Sequence, residues 1–424
     1  TAFTARLCAV YTGWRSACAP SGKPSPQPTL PPNQRRPLRT SRLRSLDQAS
    51  PESLAGMESR TFPKSELQTL LDFLWSSGQR VLGPVERDAT VVLDEVRRTE
   101  ELPIGRRDRQ GPGTYLLEDG EPNEIFGVVH GPDSLKKLFF PATEPLISLR
   151  REGRGFRVTE TLPEGQALTV IGVRACDLAG AAVQDRIFLH DHARDSHYAV
   201  RRGQVTIVAV ACTRSLSTCF CTSMDTGPRA RGGHDLELIE LDDAFVASAH
   251  SDRGAALLAA VDAATAPVAT VARAEAAVDR CASAMERRLD TDGLRELLVN
   301  AADHPHWDEV AQRCLSCANC TMVCPTCFCH TVEDVADLRG ATTERVRAWA
   351  SCFTPEHGQI HGKNFRPHTR DRYRQWLTHK LSTWIDQFGT SGCVGCGRCI
   401  TWCPVGIDLT SEVEALRRPA EAAR

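Results

Sequence analysis

The feature that most constrains this chain is a cysteine array that occurs twice towards its C-terminus. Both copies have the spacing C-x2-C-x2-C-x3-C-P, and their cysteines are Cys314, Cys317, Cys320 and Cys324 in the first copy and Cys393, Cys396, Cys399 and Cys403 in the second. Three thiolates at that spacing can surround one [4Fe–4S] cluster from a single tight loop, while the fourth cysteine reaches the other cluster. The sequence therefore predicts two clusters with crossed ligands. The predicted sets are Cys314, Cys317, Cys320 and Cys403 for the first cluster and Cys393, Cys396, Cys399 and Cys324 for the second.

Zinc and disulfides are the alternatives for so many cysteines. The chain has 18 cysteines. Structural zinc sites commonly use two separated C-x2-C pairs, and thiolates alone do not distinguish zinc from iron. Three successive C-x2 steps followed by Cys-Pro favour iron–sulfur clusters. Cys281, in a helical stretch, and Cys8 and Cys18, near the start, are not expected to be ligands.

A second group of cysteines follows two predicted parallel strands. Cys176 ends the strand that begins near Ala167, Cys212 ends the strand Val205 to Ala211, and Cys219 and Cys221 come soon after. Ligands bind at the carboxyl ends of parallel strands, which lie about 4.8 Å apart, so these four thiols could hold a third [4Fe–4S] cluster. The alternative is that Cys176 and Cys212 are small buried hydrophobic residues.

The tetrapeptide Thr-Cys-Phe-Cys occurs at 218–221 and again at 326–329. Its second copy contributes Cys327 and Cys329, and Cys352 lies further along the chain. These three cysteines could replace one of the predicted ligands or could simply line the cluster domain.

The fold class predicted is an α/β N-terminal domain followed by a C-terminal α-helical, dicluster ferredoxin-like domain. Strand, helix and strand between 166 and 211, with continuous apolar strands, indicate a parallel βαβ unit covered on both faces. The predicted segments are a disordered leader at 1–56, the α/β domain at 57–250, a helical connection at 251–300 and the cluster domain at 301–424. The leader is rich in Arg, Pro and Ser, and Met57 is an alternative start of the native protein.

Several classes of function are disfavoured by the sequence. The formal net charge of −2 over 424 residues gives no general attraction to nucleic acid. Since no run approaches about 20 apolar residues, we expect no membrane span and a cytoplasmic location. The chain has neither G-x-G-x-x-G after a strand nor G-x-x-x-x-G-K-[ST], so it shows no nucleotide fingerprint of its own. No residue is a convincing acid, base or nucleophile, and an electron-transfer subunit is expected rather than an independent catalyst.

Longer phrases around these cysteines are similar to one known family. They are RCLSCANCTMVCPTCFCH at 313–330, GVRACDL at 172–178, TCFCTSMDTGP at 218–228 and SCFTPEHGQIHGKNFRP at 351–367. Together they resemble the beta subunit of cytosolic NADP-linked [NiFe] hydrogenases of the sulfhydrogenase type. The likeness covers about 62–409 and extends to the cluster subunit of anaerobic sulfite reductase. Ala175 stands where the family usually has proline.

The resemblance implies an accessory electron-transfer role inside a hetero-oligomer. Its partners would be a flavin- and NAD(P)-binding, ferredoxin-reductase-like subunit and the small and large [NiFe] hydrogenase subunits. The resemblance also favours Cys176, Cys212, Cys219 and Cys221 as ligands, because each lies within a matching phrase. Two alternatives stay open at this point: a complex with a sirohaem sulfite reductase subunit, and a scaffold protein whose clusters are structural.

Overall fold

The computed structural model describes residues 59–165, 167–190 and 194–419. The predicted leader at 1–56, the alternative start at Met57 and the two cysteines of the leader lie outside these ranges. No helix within the described ranges is long and apolar enough to cross a membrane.

The regular elements alternate between strands and helices along most of the chain. The α-helices are α1 (Leu67–Ser76), α2 (Lys136–Phe139), α3 (Ala175–Phe188), α4 (Ser196–Gly203), α5 (Asp252–Ala260), α6 (Val268–Ser283), α7 (Leu294–Asn300), α8 (His306–Arg313), α9 (Asn319–Met322), α10 (Thr369–Thr378), α11 (Trp384–Phe388), α12 (Arg398–Thr401) and α13 (Leu409–Arg417). The strands are β1 (Arg60–Pro63), β2 (Arg80–Arg87), β3 (Thr90–Glu95), β4 (Arg106–Gly111), β5 (Thr114–Asp119), β6 (Thr143–Glu152), β7 (Gly155–Glu160), β8 (Leu168–Val173), β9 (Val205–Val210), β10 (Leu236–Glu240), β11 (Ala244–Ala249), β12 (Ala264–Thr265), β13 (His330–Ala336), β14 (Thr342–Trp349), β15 (Gln359–Ile360) and β16 (Lys363–Asn364).

The larger sheet has eight strands in the order β12-β1-β11-β10-β9-β8-β2-β3. Its centre is parallel, since β9 pairs in parallel with both β8 and β10, and β8 pairs in parallel with β2. The predicted βαβ unit is confirmed: β8, α3 and β9 follow one another, with Leu168 opposite Val205. Antiparallel strands flank the parallel centre on both sides.

The central strands are buried on both faces because a different helix covers each face. All six residues of β9 are buried. Val208 and Val210 share one core with the leucines of α1, whereas Ile207 and Ala209 share another with α3. Successive side chains of a strand point to opposite faces, so two helical layers enclose the sheet. The helix α1 is amphipathic and buries four leucines.

A second sheet corrects the prediction that the C-terminal region is α-helical. Its order is β13-β14-β6-β7, so two strands come from before residue 161 and two from after residue 329. Trp349 ends the strand β14. β14 forms because it pairs along its length with both β13 and β6, starting at Thr342 opposite Arg150. The domain limits at 57–250, 251–300 and 301–424 stay a prediction, and this sheet joins strands from the first and last of those segments.

The C-terminal helices surround the cysteine arrays with a third core. Trp307 of α8, Tyr373 and Trp376 of α10 and Leu409 of α13 are buried together, and several array cysteines pack against them. A π-helical turn, His379–Thr383, joins α10 to α11. These helices fix the two cysteine loops to one another and exclude water from their inner faces.

Candidate iron–sulfur sites

The two cysteine arrays fold into loops with the same backbone shape. Ser316 and Ala318 in the first loop have φ of 51° and 67°, and Gly395 and Gly397 at the equivalent positions of the second loop have φ of 63° and 75°. Short helices follow at once, α9 after the first loop and α12 after the second. Left-handed residues at every second position bend each loop sharply, so its first three cysteines can face a common centre.

The first site is a cavity between the array loops and the aromatic core. The cysteines that line it are Cys314, Cys317, Cys320, Cys399 and Cys403. Four of these are the predicted first set, which includes Cys403 from the second array. Phe353, Tyr373 and Trp376 close the cavity. Cys403, from the second array, thus lines the same cavity as the first three cysteines of the first array, and Cys399 lines it as well.

Backbone N–H groups in both loops point at cysteine sulfurs. Ser316 N–H donates to Cys314 Sγ at 3.4 Å, and Gly395 N–H donates to Cys393 Sγ at 3.5 Å. Ile407 N–H donates to Cys403 Sγ at 3.3 Å. Such bonds stabilise negative charge on thiolates and help to set the potential of a bound cluster.

The second site is more enclosed, and its four predicted thiols lie near one another. Burial raises the pKa of Cys399, and the nearby thiols of Cys396, Cys393 and Cys324 raise it further. Burial likewise raises the pKa of Cys393 to about 12. Cys324, from the first array, is therefore close enough to influence Cys399 of the second.

A buried lysine that sequence analysis missed lies against this second site. Lys380, in the π-helical turn, donates to Cys324 Sγ at 3.2 Å and to the Gly392 carbonyl at 3.0 Å. Its side chain is 2% exposed. No carboxylate of the described residues forms an ion pair with it, so sulfur is the nearest counter-charge. Only its apolar surroundings in the sequence, between Leu377 and Leu381, hinted at burial.

The third site is a cavity beneath the carboxyl end of the parallel strands. Six cysteines line it: Cys176, Cys212, Cys219, Cys221, Cys281 and Cys396. The first four form the predicted third set, and they come from the first turn of α3, the end of β9 and the loop that follows. Burial raises the pKa of all four thiols. Cys281 of α6 was not expected to be near any site, and its helical pattern gave no signal for it.

Buried polar side chains brace the walls of this third cavity. Arg174 donates to the carbonyls of Phe126 and Val128 at 2.6 and 2.8 Å. His130 Nε2 lies 2.8 Å from the carbonyl of Cys396, and its Nδ1 has no hydrogen-bond partner in the described structure. Sequence analysis found neither residue, since contacts between distant segments leave no local pattern.

The first Thr-Cys-Phe-Cys segment packs directly on the second array. Phe220 N–H donates to the Gly395 carbonyl at 2.8 Å. A Cβ atom at Gly395 would lie 2.7 Å from Cys221 Cα, and one at Gly397 would lie 2.2 Å from the Thr218 carbonyl oxygen. Glycine is required at both positions, because the two backbones touch. The second and third sites are therefore neighbours.

The second Thr-Cys-Phe-Cys segment lies beside two different thiols. Hydrogen bonding to Cys324 raises the pKa of Cys327, and hydrogen bonding to Cys352 lowers the pKa of Cys329 to about 7. None of Cys327, Cys329 and Cys352 lines the first or the third cavity. Cys327 therefore adjoins the second predicted set, whereas Cys329 adjoins Cys352.

The donor chemistry of the three sites fits iron–sulfur clusters. Thiolates are the ligands that such clusters use, and each site presents at least four thiols in water-poor surroundings. Within the described ranges, no group of three or more His, Cys, Asp or Glu side chains converges as a single metal ion would require. Since most of these thiols have raised pKa values, cluster binding must release protons.

Comparisons with known proteins agree with the C-terminal sites. Residues 313–407 match the family model described as a 4Fe-4S dicluster domain. The chain is 29% identical over 344 residues to the Sulfhydrogenase 2 subunit beta of Pyrococcus furiosus, which covers 80% of this chain and 92% of that protein. No solved structure was found to match the chain significantly.

These comparisons confirm the resemblance drawn from the cysteine phrases. The chain is similar to a sulfhydrogenase beta subunit over most of its described length, and it carries a [4Fe–4S] dicluster domain. An iron–sulfur electron-transfer subunit is the coarse function that follows. The number of clusters, the ligand sets and the partners go beyond these comparisons.

Proposed function

We propose that this chain is the iron–sulfur relay subunit of a multi-subunit oxidoreductase, working between a flavin- and NAD(P)-binding subunit and a [NiFe] hydrogenase pair in the cytoplasm. A bound [4Fe–4S] cluster supplies reversible one-electron storage, with potentials between about −700 and +450 mV. The chain itself holds, spaces and insulates three such sites. One observation supports the proposal: cysteines of the second predicted set also line the first and the third cavity, as expected if the three sites form a row.

The row follows from cysteines that border two sites at once. Cys396 belongs to the second predicted set and also lines the third cavity, while Cys399 of the same set lines the first cavity. The second site therefore lies between the other two. Clusters that only stabilise the fold need not lie next to one another, whereas clusters that pass electrons to one another must.

The protein's part in the relay is to exclude water and to stabilise charge on sulfur. Trp307 and Leu377 are fully buried beside the array helices. Backbone N–H groups and the Lys380 amine supply positive charge at the sulfurs. These features favour fast acceptance of an electron, because little solvent must reorganise around the site.

EPR of the reduced protein tests the order of the sites. In the wild-type chain reduced by dithionite under anaerobic conditions, neighbouring paramagnetic centres should give broadened, interacting signals. Cys393→Ala removes a thiol that belongs to the middle set and lines neither of the other cavities. We expect the signals of this variant to narrow, since the remaining centres are further apart. Unchanged broadening would contradict the proposed order.

A further inference from the structure

Cys329 and Cys352 are neighbouring cysteines outside the three predicted cluster sites. Ala350 N–H donates to the Cys329 carbonyl at 2.9 Å, which holds the segment of Cys352 beside Cys329. Cys329 immediately precedes β13, and Cys352 lies three residues after β14. The antiparallel pairing of these strands, with His330 opposite Trp349, holds the two cysteines beside one another. Both side chains are partly exposed, so a small molecule can reach them.

Positive side chains face this pair. Lys136 is 4% exposed, donates to the carbonyls of Thr321 and Met322 at 3.2 Å, and lies 3.8 Å from the centroid of the Trp349 ring. It has no carboxylate partner within the described residues. Since a buried charge is costly unless it is paired, anionic sulfur is the natural counter-charge. A hydrogen bond from Cys352 is the largest effect on the pKa of Cys329, and the positive charges of Lys136 and Lys380 help it to lower that pKa to about 7.

Arg366 supplies a further positive group at the partly exposed side. Burial lowers the pKa of Arg366, and the nearby Cys352 and Cys329 oppose that shift. Its buried Nε has no hydrogen-bond partner among the described residues. An arginine held this way beside two thiols is suited to bind a negatively charged group on an incoming molecule.

The pair also adjoins the relay. Cys327, two residues before Cys329, is hydrogen-bonded to Cys324 of the second predicted set. The Lys380 amine lies 3.2 Å from Cys324 Sγ and 3.6 Å from Cys327 Sγ. Cys327 therefore lies against the middle site, two residues before Cys329 in the chain.

From this arrangement we propose that Cys329 and Cys352 are a redox-active dithiol that reduces small anionic disulfides. The Cys329 thiolate attacks one sulfur of the substrate, forming a mixed disulfide and releasing one substrate thiolate. The Cys352 thiol then loses its proton and attacks Cys329 Sγ, releasing the second thiolate and leaving a Cys329–Cys352 disulfide. Two electrons from the relay and two protons restore the dithiol, so one substrate disulfide becomes two thiols. This last step rests on the proposed function; the exchange steps do not.

Trapping of the mixed disulfide tests the exchange chemistry. The probe is 5,5′-dithiobis(2-nitrobenzoate), an anionic disulfide, added anaerobically to the purified chain with its iron retained. The wild-type protein should release two thionitrobenzoate ions for this pair, and mass spectrometry should find peptides joined through Cys329 and Cys352. Cys352→Ser should release one ion and keep an adduct on Cys329, while Cys329→Ser should do neither. An adduct on each cysteine of the wild-type protein, with no joined peptides, would overturn the proposal.

Charge and coupling are tested with matched measurements. Arg366→Gln should slow the reaction with the anionic probe at least about tenfold and leave the reaction with neutral 4,4′-dithiodipyridine unchanged. Equal slowing of both reactions would overturn the proposed preference for anionic disulfides.

Coupling to the relay is tested by EPR. In dithionite-reduced protein freed of excess reductant, the anionic probe should abolish the reduced EPR signals much faster in the wild type than in Cys329→Ser. Equal rates overturn the coupling to the relay. Failure of dithionite to produce any reduced signal overturns the relay itself, and the trapping result still decides the dithiol chemistry.

Discussion

Lys380 shows how much one residue can contribute to an electron-transfer site. Its amine is buried, has no described carboxylate partner and touches the sulfur of Cys324. A positive charge at this distance favours the reduced, more negative state of a bound cluster. The π-helical turn that carries it adds one residue to a helical turn, and such turns occur frequently at functional sites.

Replacing Lys380 by methionine should make the middle cluster harder to reduce. Methionine keeps much of the buried volume and removes the charge, so we expect its midpoint potential to fall on the order of 100 mV. The measurement is an EPR-monitored redox titration. Lys137→Met is the matched control, because Lys137 is exposed and already paired with Asp133 at 2.9 Å. A shift of similar size in both variants would show that the effect is not local.

Glu237 gives a pH prediction away from the cluster sites. Burial raises the pKa of this carboxyl to about 7, even though Arg229 lies 3.5 Å away. The folded protein thus holds a proton that the unfolded chain releases near pH 4.5. The contribution of Glu237 to the free energy of unfolding should therefore be greatest below about pH 4.5. It should fall by about 3 kcal/mol in total as the pH rises to 7. Glu237→Gln should remove that part of the pH dependence and raise the thermal midpoint at pH 8, measured anaerobically. A thermal midpoint of Glu237→Gln at pH 8 below that of the wild type would contradict this prediction.

At the scale of elements, the duplicated loops explain what the spacing motif requires. Ser316 and Ala318 adopt left-handed conformations in one loop, and glycines take the same positions in the other. The difference has a physical cause: the second loop packs against the Thr218–Cys221 segment, where a side chain would collide with the backbone. The first loop has no such constraint at those positions, so it tolerates Cβ atoms.

Gly395→Ala should separate the second array from the third site. The new methyl group would lie 2.6 Å from the Phe220 carbonyl oxygen. We expect a loss of stability of about 3 kcal/mol or more and loss of iron from the third site. Gly340→Ala is the control, because its φ of 64° matches the 63° of Gly395 and its added methyl group would meet nothing within 4 Å. That change should cost only about 1–2 kcal/mol of strain and no iron. Equal iron loss in both variants would count against the packing argument.

Sequence patterns predicted the elements better than the contacts between them. The strand, helix and strand from Leu168 to Val210 follow from continuous apolar runs. The pairing of β6 with β14 was not predictable, because it joins residues almost 200 positions apart. Lys136 and His130 likewise act through tertiary contacts that leave no periodic signal.

At the scale of the whole molecule, the predicted crossed ligands would tie the two arrays into one unit. Cys324→Ala should remove the middle cluster although Cys324 lies in the first array, and Cys403→Ala should remove the first cluster although Cys403 lies in the second. Each variant should lose about four irons. The double variant Cys324→Ala/Cys393→Ala should also lose only about four irons, because both thiols belong to one predicted set. A loss of about eight irons in the double variant would show that each array holds its own cluster.

Iron and sulfide analysis combined with EPR decides whether the three cysteine sites form an electron relay. The protein should be purified anaerobically, assayed for iron and acid-labile sulfide, and reduced with dithionite. We predict about twelve irons and about twelve sulfides per chain, with interacting EPR signals that appear on reduction and disappear on reoxidation. About eight irons would contradict a cluster at Cys176, Cys212, Cys219 and Cys221, and clusters that dithionite cannot reduce would contradict the relay.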